Sequence, residues 1–233
     1  GCCAFSTQVP VESSLEGGEN AMETRFFAVS ASVDATLKVW CLATTRCLGT
    51  MSGHTASLTA CAVTKNGKRV LSSSADKTVK VWNIETCLCE STIVQSSKVN
   101  CVAASNWTDF LACSGSADGT LAILNLQPDS GGATGPRKLA SHHGGVLSCG
   151  IFRFDTRALS SGTDGTVRVW DISDSFSCLY ILAGHLDHSS VACTYAADTR
   201  IVSGGRDRTL RVWHVPYQEN GGCDSVDEKS TYG

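Results

Sequence analysis

Apolar and polar residues alternate along several short stretches of this chain: Val79 and Val81 enclose Lys80, Val167 and Val169 enclose Arg168, and Leu210 and Val212 enclose Arg211. A period of two sends successive side chains to opposite faces, so each stretch predicts a half-buried β-strand. A threonine and β-branched residues suit a pleated backbone, and an aspartate just before the threonine opens a tight turn. A second strand follows the same logic on the other side of each aspartate. Earlier strand signals run through Leu58–Val63, Val99–Val102, Val146–Ile151 and Val191–Tyr195, and a cysteine recurs in all four, as Cys61, Cys101, Cys149 and Cys193. Further cysteines, Cys47, Cys87, Cys89 and Cys178, begin the segment after the tryptophan, just before Leu or a short apolar run. Each unit is therefore expected to hold four short strands in an all-β fold.

The units repeat. Asp34-Ala-Thr-Leu-Lys-Val-Trp40 recurs as Asp76–Trp82, Asp118–Leu124, Asp164–Trp170 and Asp207–Trp213, with successive aspartates 42, 42, 46 and 43 residues apart. That period suits a four-stranded propeller blade. A serine stands four residues before every aspartate, as Ser30, Ser72, Ser114, Ser160 and Ser203. A histidine stands 22 residues before it in three copies, as His54, His142 and His185. Copies two, four and five thus carry a complete His, Ser, Asp and Trp set. Imidazole can bridge a turn aspartate to the serine hydroxyl, and the indole N–H can donate to the same serine. In a buried network each such bond contributes about 1 kcal/mol net, and an orphaned partner costs as much or more.

Ser-His-Asp is also the composition of a hydrolase triad. Three copies in one chain, with the serine inside a strand rather than on a strained Gly-x-Ser-x-Gly elbow, assign the set a structural role instead.

The Gly53-His54 and Gly184-His185 pairs, the serine strand, the turn aspartate and the closing tryptophan together resemble WD40 repeats, over residues 1 to about 215. The resemblance implies a β-propeller of four-stranded antiparallel blades, in which the tetrad ties the loop entering the innermost strand to the strand behind it. It further implies a ring surface that serves as a scaffold. Five repeats are visible, at about 1–40, 41–82, 83–124, 125–170 and 171–213, and the ring is expected to be incomplete or unclosed.

Two copies depart from the pattern. Repeat three has Ser96 in place of histidine and Leu124 in place of tryptophan, leaving only Ser114 and Asp118. Its network is expected not to form, at a cost of about 2–4 kcal/mol. Trp107 reads as loop or strand packing. In repeat one, Ser30, Asp34 and Trp40 remain, but counting back for a histidine reaches Glu12 in a polar stretch. Cys2–Ser6 reads as the innermost strand, aligning Cys3 with Cys61 and Cys149, and Thr7–Thr24 as a long loop. The chain is thus expected to be a fragment of a longer family member that begins inside a strand. Residues 216–233 read as a polar disordered tail, leaving the last blade without an outer strand.

At 233 residues and 42% hydrophobic composition the chain can bury a sizeable core. It carries no membrane-span signal and no secretory signal, and the expected compartment is the cytoplasm, with the nucleus as the alternative. Its thirteen cysteines fall mostly at repeated strand positions and read as buried thiols; none has metal-finger spacing, and no metal or cofactor is expected. A net charge of −3 argues against a nucleic-acid footprint.

With no nucleophile, phosphate loop or metal set, the chain reads as a non-enzymatic scaffold for other proteins or peptides. Residues flanking the turn aspartates point to one mouth of the ring, and only the last copy is basic on both sides, with Arg206 and Arg208. These two, with Lys77 across the mouth, are candidates for holding a carboxylate or phosphate of an acidic or phosphorylated partner. Two other roles fit the same surface logic: the sensor or autoinhibitory part of a multidomain NTPase signalling protein, and the substrate receptor of a ubiquitin ligase.

Overall fold

The chain was analysed as a computed structural model that describes residues 2–5, 9–13, 21–127, 135–140, 142–185, 191–197, 199–215 and 228–232. Every regular element among them is a strand. Blade one begins with β1 (Cys2–Phe5), is interrupted by a hairpin of β2 (Val9–Ser13) and β3 (Ala21–Arg25), and continues with β4 (Phe27–Ala31), β5 (Thr36–Cys41) and β6 (Cys47–Ser52). Blade two holds β7 (Leu58–Val63), β8 (Arg69–Ser74), β9 (Thr78–Asn83) and β10 (Cys89–Val94). Blade three holds β11 (Val99–Ala104), β12 (Leu111–Ser116), β13 (Thr120–Asn125) and β14 (Arg137–Ala140). Blade four holds β15 (Val146–Phe152), β16 (Arg157–Gly162), β17 (Thr166–Asp171) and β18 (Cys178–Ala183). Blade five holds β19 (Val191–Ala197), β20 (Arg200–Gly205), β21 (Leu210–His214) and β22 (Glu228–Tyr232).

Each blade is a four-stranded antiparallel meander from an inner to an outer strand. The Asp-x-Thr phrase builds the turn between its second and third strands. In all five blades the aspartate Oδ1 accepts bonds from both the backbone N–H and the hydroxyl of the threonine two residues on, at 2.6–3.1 Å. The residue between them takes left-handed φ: Ala35 at 69°, Lys77 at 69°, Gly119 at 85°, Gly165 at 77° and Arg208 at 63°. An aspartate that satisfies the threonine locally fixes this turn, which is why the phrase recurs as a unit.

The apolar cores lie between blades. Leu37, Val39 and Met51 of blade one meet Val70, Trp82 and Ile84 of blade two. Leu71, Val79 and Val81 meet Ala112, Ala122 and Leu124 at the next seam. Cys113, Leu121 and Ile123 meet Ala158, Trp170 and Ile172, and Leu159, Val167 and Val169 meet Ile201, Trp213 and Val215. One thin sheet cannot enclose its own apolar face, so each blade depends on its neighbours. Among the described residues the sheets do not close into a ring: no packing like that between successive inner strands joins β19 to β1.

The inner-strand cysteines occupy two registers. Cys3, Cys61 and Cys149 face Ser30, Ser72 and Ser160, whereas Cys101 and Cys193 face Gly115 and Gly204, one step away. The first register gives the thiol a seam role: Cys61 Sγ reaches the Val29 carbonyl and Cys149 Sγ the Cys113 carbonyl, each at 3.7 Å across the blade boundary. A hydroxyl and an amide join the same stitching, with Thr59 Oγ1 donating to the Val99 carbonyl at 2.7 Å and Asn100 Nδ2 to the Val146 carbonyl at 2.8 Å.

Three expectations from the sequence are corrected. Within Thr7–Thr24, expected to be loop, Val9–Ser13 pairs antiparallel with Ala21–Arg25, and Glu12 lies opposite Met22. Backbone ladder bonds between the two strands make this segment a hairpin. Within 216–233, expected to be a disordered tail, Glu228–Tyr232 pairs with β21 and supplies the outer strand that blade five was expected to lack; residues 216–227 lie outside the described residues. Cysteines expected to be buried also divide, for Cys47 and Cys89 are exposed at the starts of outer strands.

Candidate functional site

The complete sets in blades two, four and five form the same chain of hydrogen bonds. In blade two, His54 Nδ1 lies 2.7 Å from Asp76 Oδ2, His54 Nε2 lies 2.7 Å from Ser72 Oγ, and Trp82 Nε1 donates to Ser72 Oγ at 2.8 Å. In blade four the corresponding distances are 2.8, 2.9 and 2.9 Å among Asp164, His142, Ser160 and Trp170. In blade five they are 2.8 Å throughout, among Asp207, His185, Ser203 and Trp213. The aspartate also caps the incoming loop, accepting from Thr55 N at 3.0 Å in blade two and from His143 N at 3.1 Å in blade four.

Direction follows from charge. Burial pulls the His54 and His142 imidazoles below the usual histidine range, and their aspartates only partly offset it. Burial alone would raise Asp76 and Asp164, but the converging donors outweigh it and hold both carboxyls at about 2. A neutral ring beside a carboxylate carries its proton on Nδ1, so Nε2 accepts from the serine hydroxyl, which in turn accepts from the indole. Every donor in the set has one acceptor. Ser72, Ser160 and Ser203 have no exposed surface, which denies a substrate any approach to the hydroxyl that a hydrolase would use.

Blade three was expected to lack a network, and here the structure corrects the sequence reading. Ser96 Oγ donates to Asp118 Oδ2 at 2.5 Å, while the preceding residue, Gln95, directs Nε2 to Ser114 Oγ at 3.5 Å. Two consecutive side chains divide the work of one imidazole. Leu124 fills the tryptophan slot and is fully buried. The substitute is poorer, because Gln95 Oε1 is buried with no partner among the described residues. In blade one the two ends survive without the bridge: Trp40 Nε1 donates to Ser30 Oγ at 2.9 Å, and Asp34 bonds to Thr36.

Arg206, Arg208 and Lys77 are all exposed beside second-to-third-strand turns. At the opposite end of the blades, sequence reasoning missed a set of inter-blade contacts. Asn66 N donates to Asp109 Oδ1 at 2.7 Å, Lys65 Nζ to the Trp107 carbonyl at 3.1 Å, and Thr108 Oγ1 to Asp155 Oδ2 at 2.7 Å. Trp107, expected to pack in a loop or strand, is half exposed and meets Phe154 with the rings tilted at 42° and their centroids 4.3 Å apart. Asp171, directly after Trp170, was also missed: it accepts from Arg157, Ser173 and Ser175, and despite burial the bonds from Ser175 and Ser173 hold it at about 2. Its signal was present in the sequence, as the one acid that follows a closing tryptophan. Among the described residues no three His, Cys, Asp or Glu side chains converge as a metal site, and no helix is long and apolar enough to cross a membrane.

No curated protein matches the chain. The family described as WD domain, G-beta repeat matches residues 45–83, 87–125, 136–171 and 176–214, each match running from one blade's outer strand through three strands of the next. Blade one has the same sheet order and turn without a match of its own. The matches cover more than half of the chain, and together with the blades and their His-Ser-Asp-Trp networks they make it a member of the WD40 repeat family.

Proposed function

We propose that this chain is a non-enzymatic scaffold that binds other proteins or peptides on the mouth formed by the second-to-third-strand turns, where Arg206, Arg208 and Lys77 contact a carboxylate or phosphate of the partner. Repeats of this family are generally protein-interaction scaffolds, which supports the first half of the reading. One observation carries the second. Lys77 and Arg208 take left-handed φ of 69° and 63° at the turn position where blades three and four use Gly119 and Gly165. A side chain there costs backbone strain that glycine avoids, and strain retained at an exposed turn is characteristic of binding positions. Guanidinium forks match carboxylates and phosphates, and both arginines flank one aspartate that anchors the turn. The test compares capture of acidic and phosphorylated peptide libraries by the wild-type chain and by Arg206→Ala/Arg208→Ala. Selective loss by the variant supports the reading; equal capture refutes it.

A further inference from the structure

At the end of the blades that holds the first-to-second-strand loops, a groove lies between blades three and four. Its floor is Ile123 and Ile172, both buried, and its walls are the exposed Phe110 and the half-buried Phe176. The cavity measures about 740 Å³, a size that admits a bulky side chain with backbone on either side. Two charged groups also line it. Arg137 begins the outer strand β14, and Asp155 sits in the loop after the inner strand β15, so the topology puts them at the outer and inner ends of the groove. The Asp155 carboxylate already accepts from the hydroxyls of Ser105 and Thr108.

Arg137 differs from other arginines at this end. Arg69 pairs with Glu90 at 2.8 Å and Arg157 with Asp171 at 2.7 Å, whereas among the described residues no carboxylate pairs with Arg137. Its guanidinium lies flat on Phe176 instead, with Cζ 3.4 Å from the ring centroid. Stacking leaves the planar fork of N–H donors pointing past the ring edge. The aromatic rim is held against local backbone preference. Phe176 takes a φ of 50° at the turn position where blades one and two carry Thr45 and Cys87. Blade two turns between its first two strands on Gly67, but blade four turns on Arg153, Phe154 and Asp155, at φ of 51°, 53° and 63°. Bulky residues in this region cost strain, yet Phe154 stays 68% exposed against Trp107, beside the groove. Exposed apolar surface next to an unpaired guanidinium is the composition of a binding site.

We propose that this groove binds a segment of a partner protein in which a bulky apolar side chain, aromatic or leucine, adjoins an aspartate or glutamate. The apolar side chain enters between Phe110 and Phe176 over Ile123 and Ile172, and the carboxylate takes the fork of Arg137. Asp155 repels a carboxylate at the inner end, so the acidic residue lies on the outer side and sets the direction of the segment. The site is separate from the mouth of Arg206, Arg208 and Lys77, which lies at the other end of the blades.

Fluorescence anisotropy of short labelled peptides titrated with the full chain tests this. The peptides carry phenylalanine, leucine or alanine at the centre and aspartate or lysine beside it. Wild type is expected to bind the phenylalanine and leucine peptides that carry aspartate, and to bind the alanine and lysine peptides more weakly. Arg137→Gln should weaken the favoured peptides about ten- to hundredfold, and Arg137→Glu should turn the preference towards lysine. Arg137 is exposed, so both variants should keep the wild-type far-UV spectrum. Arg206→Ala/Arg208→Ala should keep the preference for an apolar centre, which separates this site from the turn mouth. A wild-type chain that binds alanine and phenylalanine peptides alike overturns the proposal, as do Arg137 variants that bind like wild type. A preference lost in Arg206→Ala/Arg208→Ala instead overturns it too, by moving the site to the other end of the blades.

Discussion

Asp76→Ala isolates what the imidazole bridge contributes. The carboxylate accepts from His54 Nδ1 at 2.7 Å, Thr55 N at 3.0 Å, Thr78 N at 2.9 Å and Thr78 Oγ1 at 2.7 Å. The threonine groups can turn to water. The His54 side chain cannot, because it has no exposed surface, so its N–H exchanges a carboxylate at 2.7 Å for the neutral Thr78 Oγ1 at 3.2 Å. Losing that charged acceptor costs about 1–3 kcal/mol, and the other lost charge-assisted bonds bring the total to about 2–4 kcal/mol. Asp118→Ala is the internal comparison. Its partner across the turn is Ser96, whose hydroxyl is exposed enough to rehydrate, so the loss should be about 1 kcal/mol. Urea titration followed by tryptophan emission measures both, and hydrogen exchange in β7–β9 shows whether the Asp76 loss is confined to its own blade. Equal losses from the two substitutions would refute the buried-bridge account, since both remove the same local Asp-x-Thr turn bonds and differ in the bridge and in the bond from Thr55 N.

Three further outcomes are expected. Gly49→Ala should destabilise the chain by about 1–3 kcal/mol, because a Cβ there would stand 2.4 Å from Cys87 Sγ, and Cys87→Ala should restore most of the loss in the double variant; no rescue in urea denaturation would remove this contact as the cause. Gln95→Ala should cost about 1 kcal/mol through the loss of its contact to Ser114, and a stability unchanged or raised in the same assay would deny Gln95 a share in the bridge. Acidification should destabilise the chain in two stages. His54 and His142 titrate below 6.5 when folded, so from that pH downward the unfolded chain takes up protons that the folded one refuses. Asp76, Asp164 and Asp171, held at about 2, add a steeper loss as pH falls from 3.8 towards 2. A urea midpoint that stays flat or rises between pH 7 and 3 would contradict both stages.

What the sequence made legible was whatever local chemistry repeats. Asp-x-Thr states its turn within three residues, and the alternation after it states a strand, so both survive in all five copies even where the histidine or tryptophan is gone. Outer strands are less legible because they need little apolar character. In β10 the pattern from Cys89 to Val94 is exposed except at Ile93, yet it pairs with β9 through its backbone. Polarity was therefore no ground for reading 228–232 as tail, and a charged Glu228-Lys229 beginning is compatible with an outer edge. Blade three shows a different blindness. A fixed count of 22 residues finds Ser96 and reports a missing histidine, but an imidazole has two nitrogens, and the side chain replacing the second can come from the residue before. The exposure of Leu210 lay beyond any reading of single repeats, since it belongs to the same pattern as Leu37 and Val79. Only its 57% exposure, against 0% for both, separates an apolar residue with a neighbouring blade from one without. A repeat therefore specifies two half-interfaces rather than a finished blade, and each seam is completed only by the blade that packs on it.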